Sequence, residues 1–119
     1  MTPDEVMALT DKELLVKAYE LDSGLRVLRH EIHDRMQCVK TAGGSGTTWI
    51  IIPDYPHDIA AAWELWEKLP KRRMLYDLDG KTYCTVGGYS EGGCLCEGEA
   101  DEGEEAKAIT RAFILARAH

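Results

Sequence analysis

Apolar residues between Asp54 and Pro70 recur every three or four positions, which is the spacing of an amphipathic helix. Charged residues fall on the opposite side, and Glu64 stands four positions before Lys68, the favourable order for an ion pair along a helix. Pro56 suits the first turn, and Pro70 is expected to end the helix. We expect the apolar stripe to lie buried against a sheet, and its members are Ile59, Ala62, Trp63, Trp66 and Leu69.

Helix signals also stand at both ends of the chain. Two Thr-x-x-Glu sequences, which begin at Thr2 and at Thr10, have the pattern of a capping box. They predict a helical turn at 3–9 and a helix at 11–22. A second apolar stripe predicts a last helix that starts near Glu104, and its members are Ile109, Ala112, Phe113 and Ala116.

The region between the first two long helices is ambiguous. Apolar residues in 25–39 recur at three and four positions, which favours a helix, and a helix is our prediction. Residues 26–29 are equally compatible with a short strand. The Gly/Ser/Thr-rich segment 41–48 has the composition of a flexible loop, and the apolar run 49–52 is typical of a strand.

The remaining pattern is that of a β-sheet. The pair Asp79-Gly80 is a strong hairpin signal, with strands expected at 73–76 and 82–86 on either side. Residues 94–99 predict a third strand after a glycine-rich turn. The predicted fold class is therefore α+β, in which an antiparallel sheet of three or four strands is sandwiched between helices in one domain over 1–119.

Length and composition limit the class of protein and its expected cellular location. The chain has 119 residues, of which 45% are hydrophobic, as in a globular protein with one core. No run approaches the ~20 apolar residues of a membrane span. The start of the chain is acidic and lacks the features of a signal peptide. We therefore expect a cytosolic protein with reduced cysteines and no membrane partner.

Negative charge is concentrated in one segment. The chain has 21 acidic and 14 basic residues, a net charge of −7, and residues 91–105 hold seven acids and no base. Such a segment repels nucleic acids and attracts basic surfaces. It is either a device for solubility or a docking patch for a basic partner, and both interpretations stay open. The carboxylates that a partner would contact are Glu91, Glu97, Glu99, Asp101 and Glu102.

Three cysteines form a candidate metal site. Cys94 and Cys96 project from the same face of the predicted third strand, and hairpin closure would bring Cys84 to that face. Three thiolates and a histidine would suit zinc, but the Cys-x-Cys spacing differs from the usual zinc knuckle. The favoured prediction is that these are small apolar residues beneath a helix, with no bound metal.

A second candidate site is cationic. Arg72, Arg73 and Arg111 would form a pocket for an anionic small molecule if the fold brought them together, with Ser45 and Thr47 of the glycine-rich loop as further ligands. The loop lacks the Gly-Lys-Ser/Thr ending of a phosphate-binding loop, so a linker is the simpler interpretation.

The central helix also resembles a known family. The sequence Asp58-Ile-Ala-Ala-Ala-Trp-Glu64 and the Tyr55 before it resemble the central motif of the phage ABA sandwich domain, a family of small phage and prophage proteins. Pro56 and His57 stand where the family usually has Ser and Thr. Weaker likenesses lie at 9–14 and 108–113. The resemblance implies a helix–sheet–helix sandwich and a phage setting, and it implies no catalytic residues.

Charge and resemblance together predict function by binding. We expect a non-catalytic phage accessory protein in the host bacterial cytoplasm, which uses its acidic surface to block a basic, nucleic-acid-handling host protein in the manner of an anti-CRISPR inhibitor. The alternative is a sponge that sequesters a nucleotide signal, and a weaker alternative is a zinc-stabilised structural protein. No nucleophile–base pair predicts an enzyme, and a homodimer is left open.

Overall fold

The computed structural model describes residues 1–31, 36–40, 47–87 and 96–118, with side chains for all of these except 28–31, 36–40 and 47–49. Helices and strands follow one another as α1 (Pro3–Met7), α2 (Asp11–Ser23), β1 (Val27–Glu31), β2 (Met36–Lys40), β3 (Thr47–Ile51), α3 (Ile59–Glu67), β4 (Arg73–Leu78), β5 (Lys81–Val86), β6 (Cys96–Asp101) and α4 (Glu105–Arg117). The predicted α+β class is confirmed.

Both predicted capping boxes form. Thr2 Oγ1 and Thr10 Oγ1 accept hydrogen bonds from the backbone N–H groups of Glu5 and Glu13, each at 3.2 Å. The two glutamates accept in return from the backbone N–H groups of the threonines. These bonds satisfy N–H groups that a helix start leaves unpaired, which fixes where α1 and α2 begin.

The strands fall into two antiparallel sheets, β1-β2-β3 and β4-β5-β6. The first sheet overturns the helix predicted over 25–39, because residues 27–31 and 36–40 are strands β1 and β2. β2 pairs along its whole length with β3, the apolar strand that the sequence does predict. This pairing outweighs the helical spacing of the apolar residues, which was a weak local signal.

A hairpin turn joins the first two strands of the second sheet. Asp79 and Gly80 have φ angles of 52° and 76°, the left-handed conformations of a two-residue type I′ turn. The turn sets the register of β4 and β5, which pair from Leu78 with Lys81 to Arg73 with Val86. The predicted hairpin is confirmed. β6 pairs with the other edge of β5.

Helix α4 lies against one face of the second sheet and is the centre of the core. Gly98 of β6 makes the close approach possible, since a Cβ atom there would lie 2.5 Å from the backbone nitrogen of Ala112. Helices α2 and α3 pack on α4, and α1 contacts α4 and β6. The largest fully buried side chains include Leu14, Ile52, Leu65, Ile109, Phe113 and Ile114.

Helix α3 differs from its prediction in start, partner and buried face. It starts at Ile59 behind the N-cap Asp58, so Pro56 lies before its first turn. It packs on α4 rather than on a sheet. The predicted stripe is wrong in part, because Ile59 and Trp63 are 42% and 41% exposed. The buried positions are Ala61, Ala62, Leu65 and Leu69.

Small side chains explain this rotation of α3. Ala61 and Ala62 let the backbone approach α4 closely, and Leu65 fills the space below them. The large ring of Trp63 would hold the two helices apart, and it instead meets Trp66 edge-on at the periphery, with ring centroids 5.4 Å apart. The helices thus lie on one face of the second sheet, and on its other face Met74 and Leu78 are exposed.

Candidate docking face

The open face of the second sheet, here called the outer face, is built from three cross-strand rows. In each row an apolar or aromatic residue of β4 stands beside a residue of β5 and then an acid of β6. The rows are Met74–Thr85–Glu97, Tyr76–Tyr83–Glu99 and Leu78–Lys81–Asp101. The acids therefore form one column along β6, and the apolar side chains form another along β4.

The exposed fractions of its side chains show that no described residue covers this face. Met74 is 60% exposed and Leu78 is 55% exposed, which is high for large apolar residues. Glu97 and Asp101 are exposed, and the tyrosines are half-buried by their neighbours. On the opposite side of the same strands, Thr82, Cys84, Val86 and Ala100 are buried. The sheet therefore has one core face and one face available to a partner.

Four of the five predicted patch acids can be placed. Glu97, Glu99 and Asp101 belong to the outer face, and Glu102 is exposed in the turn after β6. Glu91 lies outside the described residues. Three of the predicted acids thus form a column of side chains on a strand, held in place by its pairing with β5.

The aromatic centre of the outer face was not predicted from the sequence. The rings of Tyr76 and Tyr83 stack with centroids 5.3 Å apart and an interplanar angle of 26°. Tyr76 Oη donates a long hydrogen bond of 3.4 Å to Glu97 Oε2. The signal was present, because a two-residue turn at Asp79-Gly80 places residue 76 opposite residue 83.

The electrostatic potential of this face is negative. Partial burial and the nearby Glu97 carboxylate raise the pKa of Tyr76, and burial together with Glu99 and Glu97 raises the pKa of Tyr83. Lys81 donates to Asp101 at 2.9 Å, an exposed ion pair that raises the pKa of the lysine and lowers that of the carboxyl group. Three carboxylates and one ammonium leave the face with a net negative charge.

The cysteines that can be placed lie on the core side. Cys84 and Cys96 are buried, on the sheet face that α4 covers. Burial raises the pKa of the Cys84 thiol to about 12, which leaves it protonated and unreactive at neutral pH. Cys94 lies outside the described residues, and within the described ranges no three metal-ligating side chains come together.

The predicted cationic pocket is not assembled. Arg73 lies on the edge strand β4, where its guanidinium donates to Leu69 O at 3.1 Å and lies over the Trp66 ring. Arg111 donates to Glu99 O of the opposite edge strand at 2.5 Å. Arg72 is exposed before β4. Ser45 is outside the described residues, and Thr47 starts β3, where its side chain is not described.

A small cleft of about 180 Å³ beside the edge of β6 is lined by three cationic side chains. Each already has an acid or a carbonyl as a partner, since Lys81 pairs with Asp101, Lys107 lies 3.2 Å from Asp11 Oδ1, and Arg111 Nη1 donates to Glu99 O. Arg111 Nε is buried without a hydrogen-bond partner. The cleft is closer to a structural ion-pair cluster than to a pocket for an anion.

None of the helices in the described part of the chain has the length and apolarity needed to cross a lipid bilayer.

Comparison with known proteins identifies the fold. No protein-family model matches the chain, and no curated protein sequence matches it. The structure is similar to a crystal structure of a phage protein from Bacillus cereus, with a TM-score of 0.61 and 20% sequence identity over 94% of this chain and 91% of that one. At this identity the likeness shows a shared fold. Membership of the phage ABA sandwich family stays a prediction.

Proposed function

We propose that this protein acts by binding rather than by catalysis, and that its outer face docks on a basic surface of another protein. The observation that carries the proposal is the column of Glu97, Glu99 and Asp101 along β6, which lies beside the tyrosine pair and the exposed side chains of Met74 and Leu78. Carboxylates held at fixed spacing attract a basic surface over about a Debye length, and the apolar column supplies contact area once the partner is seated.

The class of partner that we propose is suggested by charge and setting. A negative face disfavours direct binding to nucleic acid or to an anionic membrane. It favours a host protein with a basic channel that normally holds nucleic acid. The fold shared with a phage protein, together with the sequence motif around Tyr55 and Trp63, supports a phage accessory protein in the cytoplasm of a bacterial host. We infer an anti-defence inhibitor that works like an anti-CRISPR protein.

The test compares two variants that change the net charge equally. The patch variant carries Glu97→Gln, Glu99→Gln and Glu102→Gln, and Asp101 is kept because its loss would free Lys81. The control variant carries Asp4→Asn, Glu64→Gln and Glu67→Gln, at exposed positions on α1 and α3. Both remove three negative charges from a chain whose net charge is −7.

Proteins captured from a bacterial lysate by the parent and the control variant, and lost from the patch variant, are the candidate partners. With such a partner, we expect the patch variant to associate more slowly at low salt and to depend less on salt, because steering is lost. Equal capture and equal association rates for the patch variant and the parent would overturn the proposal.

A further inference from the structure

The outer face places aromatic rings directly beside carboxylates, and this pairing is more specific than negative charge alone. In the middle row Tyr76 stands opposite Tyr83, and Tyr83 stands opposite Glu99, so a carboxylate lies directly beside the two rings. Glu97 adds a second carboxylate in the neighbouring row, where it reaches the hydroxyl of Tyr76. The carboxylate of Glu99 has no hydrogen-bond partner among the side chains that the structure describes.

We propose that the outer face recognises arginine side chains of its partner, with the guanidinium group over the rings of Tyr76 and Tyr83 and paired with Glu97 or Glu99. This inference rests on the proposed docking function and names the residue type that the face selects. The apolar residues Met74 and Leu78 on either side would pack against the alkyl part of the arginine or its neighbours.

Arginine fits this arrangement better than lysine does. A guanidinium group is planar and weakly hydrated, so it can stack on an aromatic ring and offer two parallel N–H groups to one carboxylate. A lysine ammonium is a compact, strongly hydrated charge that gains little from the rings. The chain uses the same contact internally, since the guanidinium carbon of Arg73 lies 5.0 Å from the centroid of the Trp66 ring.

Two other occupants fit less well. A second copy of this chain would bury three carboxylates from each outer face with one ammonium, that of Lys81, in the rows of each, which leaves negative charge without a partner. Exposed tyrosines on a sheet can also stack on the bases of single-stranded nucleic acid. In this face, however, carboxylates stand where a nucleic-acid-binding protein would place cations for the phosphates.

The experiment uses two defined probes, a fluorescent Arg-Gly repeat peptide and a Lys-Gly peptide of the same length and charge. Binding is measured by fluorescence anisotropy at low salt to four full-length proteins, whose folding is checked by circular dichroism. They are the parent, Tyr76→Val with Tyr83→Val, Tyr76→Phe with Tyr83→Phe, and Glu97→Gln with Glu99→Gln. Valine keeps the strand propensity and removes the rings, whereas phenylalanine keeps the rings and removes the hydroxyls.

We expect the parent to prefer the arginine peptide by about two- to fivefold per ring, which is the strength of an exposed cation–π contact. The valine variant should lose this preference, the phenylalanine variant should keep it, and the glutamine variant should bind both peptides more weakly. A single-stranded oligonucleotide serves as a further probe and should not bind.

Five results would count against the inference, and they separate it from the docking function. Equal affinity of the parent for both peptides, or a preference that survives in the valine variant, overturns arginine selection, while weaker binding by the glutamine variant would still support acidic docking. Peptide binding that is unaffected in the glutamine variant, or no peptide binding at all, overturns both. Tyrosine-dependent binding of the oligonucleotide would assign the face to nucleic acid instead.

Discussion

His57 Nε2 lies 2.7 Å from Asp11 Oδ2 and so joins the segment before α3 to the first turn of α2 across 46 positions of the chain. The other ring nitrogen, Nδ1, lies 3.0 Å from Asp54 Oδ1. Asp11 also binds Lys107 of α4. One histidine and one lysine thus hold α2, α4 and the turn before α3 together through a shared carboxylate.

The stability that His57 contributes should fall as the pH rises. Partial burial opposes protonation, but hydrogen bonds to Asp54 and Asp11 outweigh it and raise the pKa of His57 above its ordinary 6.5. A raised pKa in the folded state gives stabilisation that is complete below about 6.5 and is lost as the pH rises through the folded value. His57→Gln should therefore lower the free energy of unfolding by ~0.2–1 kcal/mol near pH 5.5, and by less near pH 8.5.

Asp11→Asn provides the control for this titration. Burial acts against it, yet hydrogen bonds from Lys107 and His57 lower the pKa of Asp11 below its ordinary 3.8, so its charge is present across the tested range. Because this carboxylate also pairs with Lys107, the variant should be destabilised at both pH values. A loss for His57→Gln that is the same at both pH values, measured by urea denaturation, would contradict the assigned role of the imidazole.

Leu65 should matter more to stability than Trp63, although Trp63 is the larger residue. Leu65 is fully buried between α3 and the core, and Leu65→Ala should cost about 2–5 kcal/mol. Trp63 is 41% exposed and contacts Trp66 edge-on, so Trp63→Ala should cost ~0.5–1.5 kcal/mol for that contact. Equilibrium denaturation of the two variants gives the order, and a larger loss for Trp63→Ala would mean that α3 is rotated from the described position.

Gly98→Ala should push α4 away from the sheet. The added Cβ atom would lie 2.5 Å from Ala112 N and 3.1 Å from Ala112 Cα, and these backbone atoms cannot rotate aside. Overpacking of this kind costs typically ~1–3 kcal/mol. Gly87→Ala is the milder comparison, since its Cβ would meet the side chain of Arg72 at 3.2 Å. A comparable loss of stability at the two positions in thermal melts would show that α4 adjusts freely.

Local chemistry made part of this fold predictable. The capping boxes at Thr2 and Thr10 and the turn at Asp79-Gly80 specify backbone geometry through adjacent residues, so the sequence identifies them directly. The strands at 27–31 and 36–40 depend on pairing with β3, a contact between distant residues, and their apolar spacing also fits a helix. The face of α3 depends on how closely α4 approaches, which hydrophobicity alone does not encode.

The candidate site was predictable in composition but not in arrangement. The acids stand out in the sequence, and pairing with β5 then places three of them on one face. The inward positions of β6 include Gly98 and Ala100, which are small because α4 lies directly above them, so the strand lacks the apolar alternation that would reveal its faces. The charges of Arg73 and Arg111 suggested a shared pocket, but Arg73 on β4 donates to Leu69 O, whereas Arg111 donates to Glu99 O of β6, the opposite edge strand.

Neutralising the acids of the outer face should lower the pKa of its tyrosines. For Tyr76 the raised pKa comes first from burial and then from Glu97, and for Tyr83 it comes from burial and then from Glu99 and Glu97. A carboxylate disfavours the phenolate, so Glu97→Gln with Glu99→Gln should move both pKa values part of the way back towards 10.0, with the contribution of burial retained.

Ring chemical shifts followed against pH resolve each tyrosine, and Tyr55 is the internal control. Its pKa is raised to about 12 by burial, with smaller contributions from Asp22 and Glu64, and neither variant position is among the causes. Tyr55 should therefore titrate alike in parent and variant. Added salt should lower the pKa of Tyr76 and Tyr83 in the parent more than in the variant, because it screens exposed carboxylates. If Tyr76 and Tyr83 titrate identically in both proteins, the outer face lacks the negative potential that attraction of a basic partner requires.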